Sequence, residues 1–390
     1  MFDFDKVPQR LGTNSVKWDA AEKVFGSKDI LPMWIADMDF AVAPAITEAL
    51  HKKVDQSVFG YTFLSDEYYN AVINWMKTRH NFEVEKDEIV FTPGVVPGLD
   101  FALQVLTQPG DDVMVETPVY GPFYSVIKKN GCSTVDVPLV NDNEYYSFDF
   151  ELLEKSITEK TKAFMLCSPH NPSGRVWKRE ELLKLADICQ RHNIFVISDE
   201  IHNDLILEGE HIVFAGLNEW TAQHTITCTA PTKTFNLASV IDSNIIIKNE
   251  EIRKQFKEKC SAAHCSSSNC FVEPIVCAAY NEGAQWLDEL LVYIKGNRDY
   301  LCDFVKKNLP ELTVHPMEGT YLAWINCEKL GMHGDELKNY ITEKCGLGMN
   351  NGSFFGQAWD GYCRMNLACT RATVEEACRR LEKGVSALRK

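Results

Sequence analysis

The middle of the chain alternates short apolar runs with segments of helical periodicity, and this alternation constrains the fold more than any other feature of the sequence. The apolar runs predict strands at 88–91, 112–116, 163–168, 194–198 and 225–229, and the periodic segments predict helices at 98–107, 121–130 and 179–192. A repeated strand–helix–strand order is typical of a doubly wound, mostly parallel sheet with helices on both faces. The sequence therefore predicts an α/β fold.

The pattern changes from about residue 273 onward. Trp286, Leu287, Leu290 and Ile294 recur at helical spacing and predict a long amphipathic helix, and strands at 312–314 and 320–326 precede a final helix at 373–388. A chain of 390 residues is too long for one ordinary core. We therefore expect a large domain at 45–275 and a small α+β cap domain formed by 1–44 together with 276–390.

The composition limits the classes of partner. A formal net charge of −15 disfavours nucleic acid and anionic membranes. The stretch MFDFDKVPQRLGTNSVKW has acids where a signal peptide has basic residues, and no apolar run is long enough to span a membrane, so we expect a cytoplasmic protein. The 14 cysteines include no C-x-x-C pair, and the group CSAAHCSSSNC at 260–270 fits no usual zinc spacing. We expect reduced thiols and no bound metal.

Polar side chains follow the predicted central strands. In open α/β sheets, ligands bind beyond the carboxyl ends of the strands, so these positions are candidates for chemistry. Asn171 follows the strand at 163–168 in the turn PHNPSG, which on its own is more typical of a simple Asn-Pro turn. Asp199 ends the strand at 194–198 and needs a cation or donors if it is buried, although a helix N-cap is an equal alternative for it.

A single lysine follows the last of these strands. Lys233 stands in CTAPTKTFNLAS, without an acidic residue beside it in the sequence. Taken alone, such a residue is more typical of a surface lysine with a partly buried stem. Desolvation without a neighbouring acid lowers the pKa of an amine, however, and makes it a nucleophile or a base. The surrounding residues decide between these interpretations.

The segment TPGVVPGLD at 92–100 leads into the first predicted helix of the sheet. Glycines before a helix start let backbone N–H groups approach an anion, and the helix dipole favours phosphate there. The segment matches neither the nucleotide P-loop nor the dinucleotide fingerprint, which disfavours ATP and NAD. It leaves open a phosphate on a smaller cofactor.

Taken together, this helix start, Tyr120, Asn171, Asp199 and Lys233 resemble, in order and spacing, the fold-type I pyridoxal-phosphate enzymes of the aspartate aminotransferase superfamily. Within it the chain is most similar to the MalY/PatB group of carbon–sulfur lyases, the cystathionine β-lyase type. The segments that carry this resemblance are MWIADMDF at 33–40, FGY at 59–61, PVYGPF at 118–123, SPHNPSG at 168–174, SDEIH at 198–202, APTKTFN at 230–236, GTYLAW at 319–324 and RMN at 364–366. It implies an aminotransferase-like fold, with a mostly parallel seven-stranded sheet and a smaller α+β cap.

The resemblance also implies roles for the residues that bind the cofactor. Lys233 would hold pyridoxal 5'-phosphate covalently and act as the base that removes the substrate's α-proton. Asp199 would pair with the pyridine nitrogen, which makes the ring an electron sink. The remaining contacts to the ring, its 3'-oxygen and its phosphate would come from Tyr120, Asn171, His202, Thr232 and the backbone of Val95 and Val96.

Substrate contacts are implied in the same way. Arg364 would clamp the α-carboxylate of an amino-acid substrate with its planar fork, with a surface ion pair as the alternative, and Ala36 and Asn171 would also contact the substrate. Tyr61 would reach the cofactor or substrate of a neighbouring subunit, which requires a homodimer. Lys233, Tyr61 and Tyr120 are the expected catalytic residues.

The implied activity is that of a carbon–sulfur β-lyase. Such an enzyme cleaves L-cystathionine, cysteine or a related thioether amino acid by α,β-elimination to a thiol, pyruvate and ammonia. An aminotransferase is the alternative, and a non-catalytic regulatory module is disfavoured because only about 40 non-basic residues precede the core. The chain also departs from the family, which usually continues with Gly-Leu where this chain has Ser239 and Val240, followed by Ile241 and Asp242. This departure predicts an altered phosphate cup or substrate pocket.

Overall fold

The computed structural model describes residues 2–143, 145–314 and 317–389. The α-helices are α1 Val16–Asp19, α2 Ala21–Phe25, α3 Pro44–Asp55, α4 Asp66–His80, α5 Val95–Leu106, α6 Pro122–Lys129, α7 Phe150–Lys155, α8 Arg179–His192, α9 Glu219–Gln223, α10 Pro231–Thr234, α11 Glu250–Ala262, α12 Val272–Glu282, α13 Ala284–Asn308, α14 Gly334–Cys345 and α15 Arg371–Ala387. The strands are β1 Leu31–Pro32, β2 Ile89–Thr92, β3 Asp112–Thr117, β4 Ser133–Pro138, β5 Val140–Asp142, β6 Tyr145–Ser147, β7 Thr161–Cys167, β8 Phe195–Asp199, β9 Thr225–Thr229, β10 Ser243–Ile246, β11 Thr313–Val314, β12 Leu322–Asn326, β13 Leu347–Gly348, β14 Asn350–Asn351 and β15 Tyr362–Asn366.

A seven-stranded sheet forms the centre of the molecule, with the strand order β2-β10-β9-β8-β7-β3-β4. Strands β4, β3, β7, β8 and β9 are parallel neighbours, and β10 is antiparallel to both β9 and β2. The mostly parallel sheet expected from the sequence is thereby confirmed. Its parallel strands end at one edge, where Asp199 is the last residue of β8 and Asn171 and Lys233 follow β7 and β9.

The five predicted central strands and three predicted helices are present, with ends that differ by at most three residues. Strands β4 and β10 were not predicted. Strand β4 lies at the sheet edge and is largely exposed, and β10 begins with Ser243 and Asn244, so neither shows a clear apolar run. The prediction of one long helix from about residue 273 is wrong, because the structure has two helices there, α12 and α13. The two helices meet at Gly283, where a Cβ would lie 2.5 Å from Phe235 Cε1 and 2.4 Å from the Ala279 carbonyl oxygen.

Apolar side chains fill both faces of the sheet and the space beneath the cap. One core lies between the sheet and α5, α6 and α11, and a second lies between the opposite face and α7 and α8. A larger core joins α3, α4, α12, α13 and α15. Within the described residues, no helix is long and apolar enough to cross a membrane.

The cap is built on a four-stranded sheet of order β11-β12-β15-β14. The N-terminal segment is tied to it, because β1 pairs in parallel with β13 and Asn366 Nδ2 donates to the carbonyl oxygens of Ile35 and Asp37, each at 2.6 Å. Strand β15 also carries Arg364. The cap thus holds the loop at 34–37 and Arg364 beside the carboxyl edge of the central sheet.

Candidate active site

A cavity of about 420 Å³ opens at the carboxyl ends of β8 and β9, between the central sheet and the cap. This volume is within the range of small-molecule sites. The structure brings together in its lining every candidate site residue predicted from the sequence except Tyr61, namely Ala36, Val95, Val96, Tyr120, Asn171, Asp199, His202, Thr232, Lys233 and Arg364. These residues come from both sides of the cavity.

Lys233 lies in α10, directly after β9, and its Nζ donates a hydrogen bond to the Ala36 carbonyl oxygen at 2.6 Å. Burial lowers the pKa of Lys233 to about 8, and the positive charge of Arg364 acts in the same direction, while Asp37 and Asp199 oppose it. The acids that influence this amine therefore come from distant parts of the sequence. A buried amine with a lowered pKa has the properties needed for nucleophilic and base chemistry near neutral pH.

Asp199 is the last residue of β8 and is only 3% exposed. Its Oδ1 accepts a hydrogen bond from the Ile201 backbone N–H at 3.2 Å, and residues 201–204 form turns, so the helix N-cap alternative does not apply. Burial raises the pKa of Asp199 to about 7, against the lowering effect of the Lys233 charge. A cationic group of a ligand beside Asp199 would offset the cost of burying its charge.

Arg364 is 4% exposed, which excludes the surface ion pair considered for it. Its Nη1 donates to Asn171 Oδ1 at 3.0 Å, and its Nη2 donates to the Trp34 carbonyl oxygen at 3.0 Å and to Asn350 Oδ1 at 2.9 Å. The guanidinium carbon lies 4.8 Å from the ring centre of Phe355. Burial lowers the pKa of Arg364 to about 10, so the group remains a cation at neutral pH and is held in one orientation.

The N-terminus of α5 forms the other end of the cavity. Gly94 precedes the helix with a φ of 103°, a conformation that favours glycine, and no side chain in the described part of the chain caps the first turn. Val95, Val96 and Thr232 line the cavity at this end. The two valines offer backbone N–H groups, and the threonine offers its side chain. Uncapped N–H groups and the positive end of the helix dipole favour an anion.

His202 is fully buried, and its burial lowers its pKa well below the usual value, with the charges of Lys233 and Arg364 acting in the same direction. The imidazole is therefore neutral. Its Nδ1, Arg364 Nε and Asp242 Oδ2 are buried atoms without a hydrogen-bond partner among the described residues, and all three belong to residues that line the cavity. Buried polar groups are normally hydrogen-bonded, so the site is polar and incompletely satisfied.

Some residues at the site were not assigned a role from the sequence. Tyr321 lies behind the lining and donates to the Ala36 carbonyl oxygen at 2.9 Å, the same acceptor that Lys233 uses, and its segment GTYLAW had been noted only as a resemblance. The unassigned lining residues are Trp34, Ile35, Pro93, Gly94, Cys167, Ile201, Ala238, Ile241, Asp242, Asn350 and Phe354. Ser239 is exposed and does not line the cavity, so the family departure reaches the site through Ile241 and Asp242.

Tyr61 lies outside the cavity and its side chain is fully exposed. The structure contains one chain, so the expected contact of Tyr61 with a neighbouring subunit stays a prediction. As for metals, the described residues contain no group of three or more His, Cys, Asp or Glu side chains that could hold an ion.

Comparison with known proteins agrees with this geometry. The sequence profile described as aminotransferase class I and II matches residues 28–381. The chain belongs to this family. It is 41% identical over 386 residues to cystathionine beta-lyase PatB of Bacillus subtilis (strain 168), which covers 98% of this chain and 100% of that protein.

Two solved structures share the fold over nearly their whole length. Cystalysin from Treponema denticola, whose crystal structure contains a pyridoxal 5'-phosphate cofactor, superposes with a TM-score of 0.96 at 38% identity and covers 100% of both chains. The pyridoxal-phosphate-bound C-S lyase from Staphylococcus hominis has a TM-score of 0.92 at 31% identity and covers 99% of this chain and 98% of that one. The aminotransferase-like fold expected from the sequence is thus confirmed.

Proposed function

We propose that this chain is a pyridoxal-phosphate-dependent carbon–sulfur β-lyase that cleaves L-cystathionine, cysteine or a related thioether amino acid to a thiol, pyruvate and ammonia. The observation that carries the proposal is the convergence of Lys233, Asp199 and Arg364 in one cavity beside an uncapped helix start. The similar proteins named cystathionine beta-lyase and C-S lyase support the reaction type.

The chemistry of the lining fits pyridoxal phosphate. Lys233 offers an amine for its aldehyde, and the lowered pKa of that amine makes its neutral form accessible near neutral pH. Asp199 offers a carboxyl group for its pyridine nitrogen, and the start of α5 with Thr232 offers donors for its phosphate. Asn171 and His202 would bind the 3'-oxygen, and Tyr120 would lie against the ring. When bound, pyridoxal phosphate supplies an electron sink for the negative charge that develops at the substrate's α-carbon.

The residues of the chain orient the substrate and move its proton. Arg364 and Asn171 hold the α-carboxylate, and the carbonyl oxygen of Ala36 fixes the position of Lys233 Nζ. This amine takes the α-proton from carbon. The bond between the β-carbon and sulfur then breaks, sulfur keeps the electron pair and Nζ returns the proton to it, while the remaining three-carbon enamine is hydrolysed to pyruvate and ammonia.

Product analysis tests the reaction type. Purified protein with L-cystathionine should release pyruvate without an added oxo acid, and Lys233→Ala should lose this release. Strict dependence on an added oxo acid would identify an aminotransferase, which is the alternative that the family allows. No product under either condition, together with retained cofactor binding, would indicate a regulatory module.

We also propose that the protein is a homodimer in which Tyr61 reaches the neighbouring active site. The segment at 58–63 supports this, because Val58, Phe59, Tyr61 and Phe63 are all exposed. Clefts of about 410 and 480 Å³ lie on the two sides of Thr62 and Phe63. Contiguous exposed apolar side chains of this kind mark interaction surfaces.

Subunit complementation tests the proposed dimer. Tyr61→Ala and Lys233→Ala chains should each be inactive, but a mixed dimer would contain one site with both native residues. Random mixing in equal amounts should therefore restore about a quarter of the native activity, because half of the dimers are mixed and each has one intact site. No recovery in verified mixed dimers would place Tyr61 in its own subunit's site or outside the mechanism.

Two further parts of the proposal concern organisation and location. We propose that 45–275 and 1–44 with 276–390 act as a large and a small domain, which would place Lys233 and Asp199 on one and Ala36 and Arg364 on the other. A substrate analogue should then slow hydrogen exchange at 33–38 as it bridges the two domains.

The 14 free cysteines support a reducing, cytoplasmic location, which cell fractionation tests.

A further inference from the structure

Two side chains share one backbone acceptor beside the cavity. The Ala36 carbonyl oxygen accepts a hydrogen bond from Lys233 Nζ at 2.6 Å and a second one from the Tyr321 hydroxyl at 2.9 Å. A carbonyl oxygen has two lone pairs, so these two donors use its full capacity. The carbonyl oxygens of the residues on either side both accept from Asn366 Nδ2. The loop is therefore held on both sides of the carbonyl group that Lys233 uses.

The backbone around Tyr321 holds this side chain in place. Thr320, directly before it, has a φ of 66°, which a β-branched residue rarely adopts, and its N–H donates to the Leu205 carbonyl oxygen at 2.7 Å. The Tyr321 carbonyl oxygen accepts from the Leu367 N–H at 2.8 Å. A residue in so unfavourable a conformation persists only where its surroundings determine it, and such residues cluster at functional sites. The direction of the Tyr321 side chain is thus fixed from both ends.

The Tyr321 hydroxyl is a permanent donor. The residue is 1% exposed, and its ring lies edge-on to the ring of His202, with 6.0 Å between the ring centres. Burial raises the pKa of the Tyr321 phenol above its usual value, and the charge of Asp37 acts in the same direction. The phenol therefore keeps its proton at neutral pH, whatever the protonation state of Lys233.

The proposed reaction removes only one of the two donors. Lys233 Nζ has to bond the cofactor aldehyde, take the α-proton and return it to sulfur, so it cannot stay at the Ala36 carbonyl oxygen throughout. Among the described residues, Tyr321 is then the donor that remains to this oxygen. A backbone carbonyl group without a donor is costly and tends to turn towards another one. The Tyr321 hydroxyl prevents this loss.

We propose that Tyr321 is a positioning residue for Lys233, because its hydroxyl keeps the Ala36 carbonyl oxygen in place while the amine reacts, so that Nζ returns to one point each time it is released. The inference rests on the proposed function, since it takes Lys233 to be the reacting amine. The described cavity lining does not include Tyr321, so the residue acts through Ala36 and without contact to the substrate.

The shared acceptor also links Tyr321 to the basicity of Lys233. A hydroxyl that donates to an oxygen draws electron density from it, so the oxygen holds a second donor less strongly. An ammonium group depends on such an acceptor more than a neutral amine does, because its hydrogen bonds are charge-assisted. Removing the Tyr321 hydroxyl should therefore stabilise the charged form of Lys233 and raise its pKa.

Condensation with pyridoxal tests this link without reference to activity. The full-length protein, freed of cofactor, is mixed with pyridoxal over a range of pH, and the rate of condensation is followed by absorbance. The native rate should reach half of its maximum near pH 8, the pKa of Lys233. Tyr321→Phe keeps the ring and removes the hydroxyl, so its midpoint should lie about 0.5–1 pH unit higher, the equivalent of one hydrogen bond.

The cap offers a matched control. The Tyr340 hydroxyl donates to the Gly384 carbonyl oxygen at the same distance of 2.9 Å, and Tyr340 does not belong to the described cavity lining. Tyr340→Phe therefore removes the same kind of bond away from the site. Its midpoint should equal that of the native protein.

A stronger donor at the same place should have the opposite effect. Fluorotyrosine incorporated at position 321 keeps the ring and the hydroxyl, and the electron-withdrawing fluorine makes that hydroxyl a better donor. The midpoint should then move to lower pH. A purely structural role of Tyr321 does not produce opposite shifts in the two proteins, and the fluorotyrosine protein also decides the question if Tyr321→Phe fails to fold.

Steady-state kinetics give a second measurement. Tyr321→Phe should lower kcat for pyruvate release from L-cystathionine about tenfold, which corresponds to one lost hydrogen bond of about 1.4 kcal/mol. KM should change less than about twofold, because Arg364 and Asn171 still hold the α-carboxylate. The isotope effect of an α-deuterated substrate should rise, because proton transfer becomes slower. A raised KM with an unchanged kcat would place Tyr321 in substrate binding and refute the positioning role.

The possible results separate the two proposals. If the native protein condenses with pyridoxal and Tyr321→Phe has the native midpoint or the native kcat, the role of Tyr321 is refuted while the assignment of Lys233 stands. An equal shift in Tyr340→Phe, or a shift to higher pH in the fluorotyrosine protein, also refutes it. If the native protein condenses with pyridoxal no faster than Lys233→Ala at any pH, the proposed function fails and the inference fails with it.

Discussion

Replacing Arg364 with lysine tests the substrate-binding geometry most directly. The substitution keeps a positive charge and removes the planar fork. Arg364 has five N–H bonds, and those to Asn171, Trp34 and Asn350 use three of them within the described chain. The N–H on Nε and one on Nη1 remain, but they lie on different edges of the guanidinium, so a carboxylate that takes two donors from one edge must displace a protein acceptor from Nη2. Lysine at this depth can offer one donor in place of the two on an edge.

The magnitude follows from the loss of one charge-assisted hydrogen bond. Such a bond contributes about 1.5–3 kcal/mol. Since about 1.4 kcal/mol corresponds to a factor of ten, Arg364→Lys should raise KM for the amino-acid substrate roughly 10- to 150-fold. The carboxylate is bound equally in the ground state and the transition state, so kcat should change little.

Initial rates of pyruvate release from L-cystathionine give both parameters. Arg379→Lys is the matched control, because Arg379 is exposed and pairs with Glu376 on the surface of α15, so its KM should be unchanged. An amine analogue without the α-carboxylate should bind the native and Arg364→Lys proteins alike. A KM for Arg364→Lys within twofold of the native value, with normal cofactor binding, would refute the assignment of Arg364 to the α-carboxylate.

Three other predictions concern Lys233, Asp204 and Ile241. Because the pKa of Lys233 is about 8, the rate at which cofactor-free protein condenses with pyridoxal should rise with pH up to about 8 and then level off, and a rise continuing beyond pH 10 would contradict this. Asp204 accepts buried hydrogen bonds from Trp75 at 3.0 Å and Thr234 at 2.7 Å and contacts His80 at 2.9 Å. Asp204→Asn should therefore lower the free energy of unfolding, measured in urea, by about 3 kcal/mol. A loss below about 1 kcal/mol would show that this cluster does not stabilise the protein. Ile241 has a φ of 58°, which a β-branched residue rarely adopts. Ile241→Asn should therefore raise the free energy of unfolding by about 1 kcal/mol in the same assay. A lower free energy of unfolding would show that the backbone at this residue is not strained.

The elements that were predicted and those that were missed differ in how their apolar residues are arranged. Strands β7, β8 and β9 are buried along most of their length, and such strands appear as continuous apolar runs in the sequence. Strand β4 is an exposed edge strand, so its pattern is weak. At Gly283, between α12 and α13, a side chain would clash with the Ala279 carbonyl oxygen and with the ring of Phe235, which is distant in sequence. Helical periodicity does not show this close approach, and it predicted one helix where the structure has two.

The residues of the candidate site also include some that the sequence indicated and some that it did not. Asn171, Asp199 and Lys233 could be located from the sequence because each follows a buried parallel strand, and the carboxyl ends of such strands meet at one edge of the sheet. The roles of Arg364 and Ala36 were inferred from the resemblance of the chain to a known family. The segment GTYLAW contributed to the resemblance without giving Tyr321 a role, and no pattern indicated Asn350, because both act through hydrogen bonds to residues distant in sequence, Ala36 and Arg364.

The sequence by itself determined the strand–helix alternation, the order of the polar residues along the sheet edge and the family, because these depend on local periodicity and on residue identity. Only the tertiary structure decided that Lys233 Nζ is hydrogen-bonded to the carbonyl oxygen of Ala36 and that Asp242 is fully buried beside the Tyr68 hydroxyl. Burial and charge are properties of a residue's neighbours in space. A lysine and an aspartate that are ordinary in the sequence thus acquire pKa values near 8 and 7 only when the chain has folded around them.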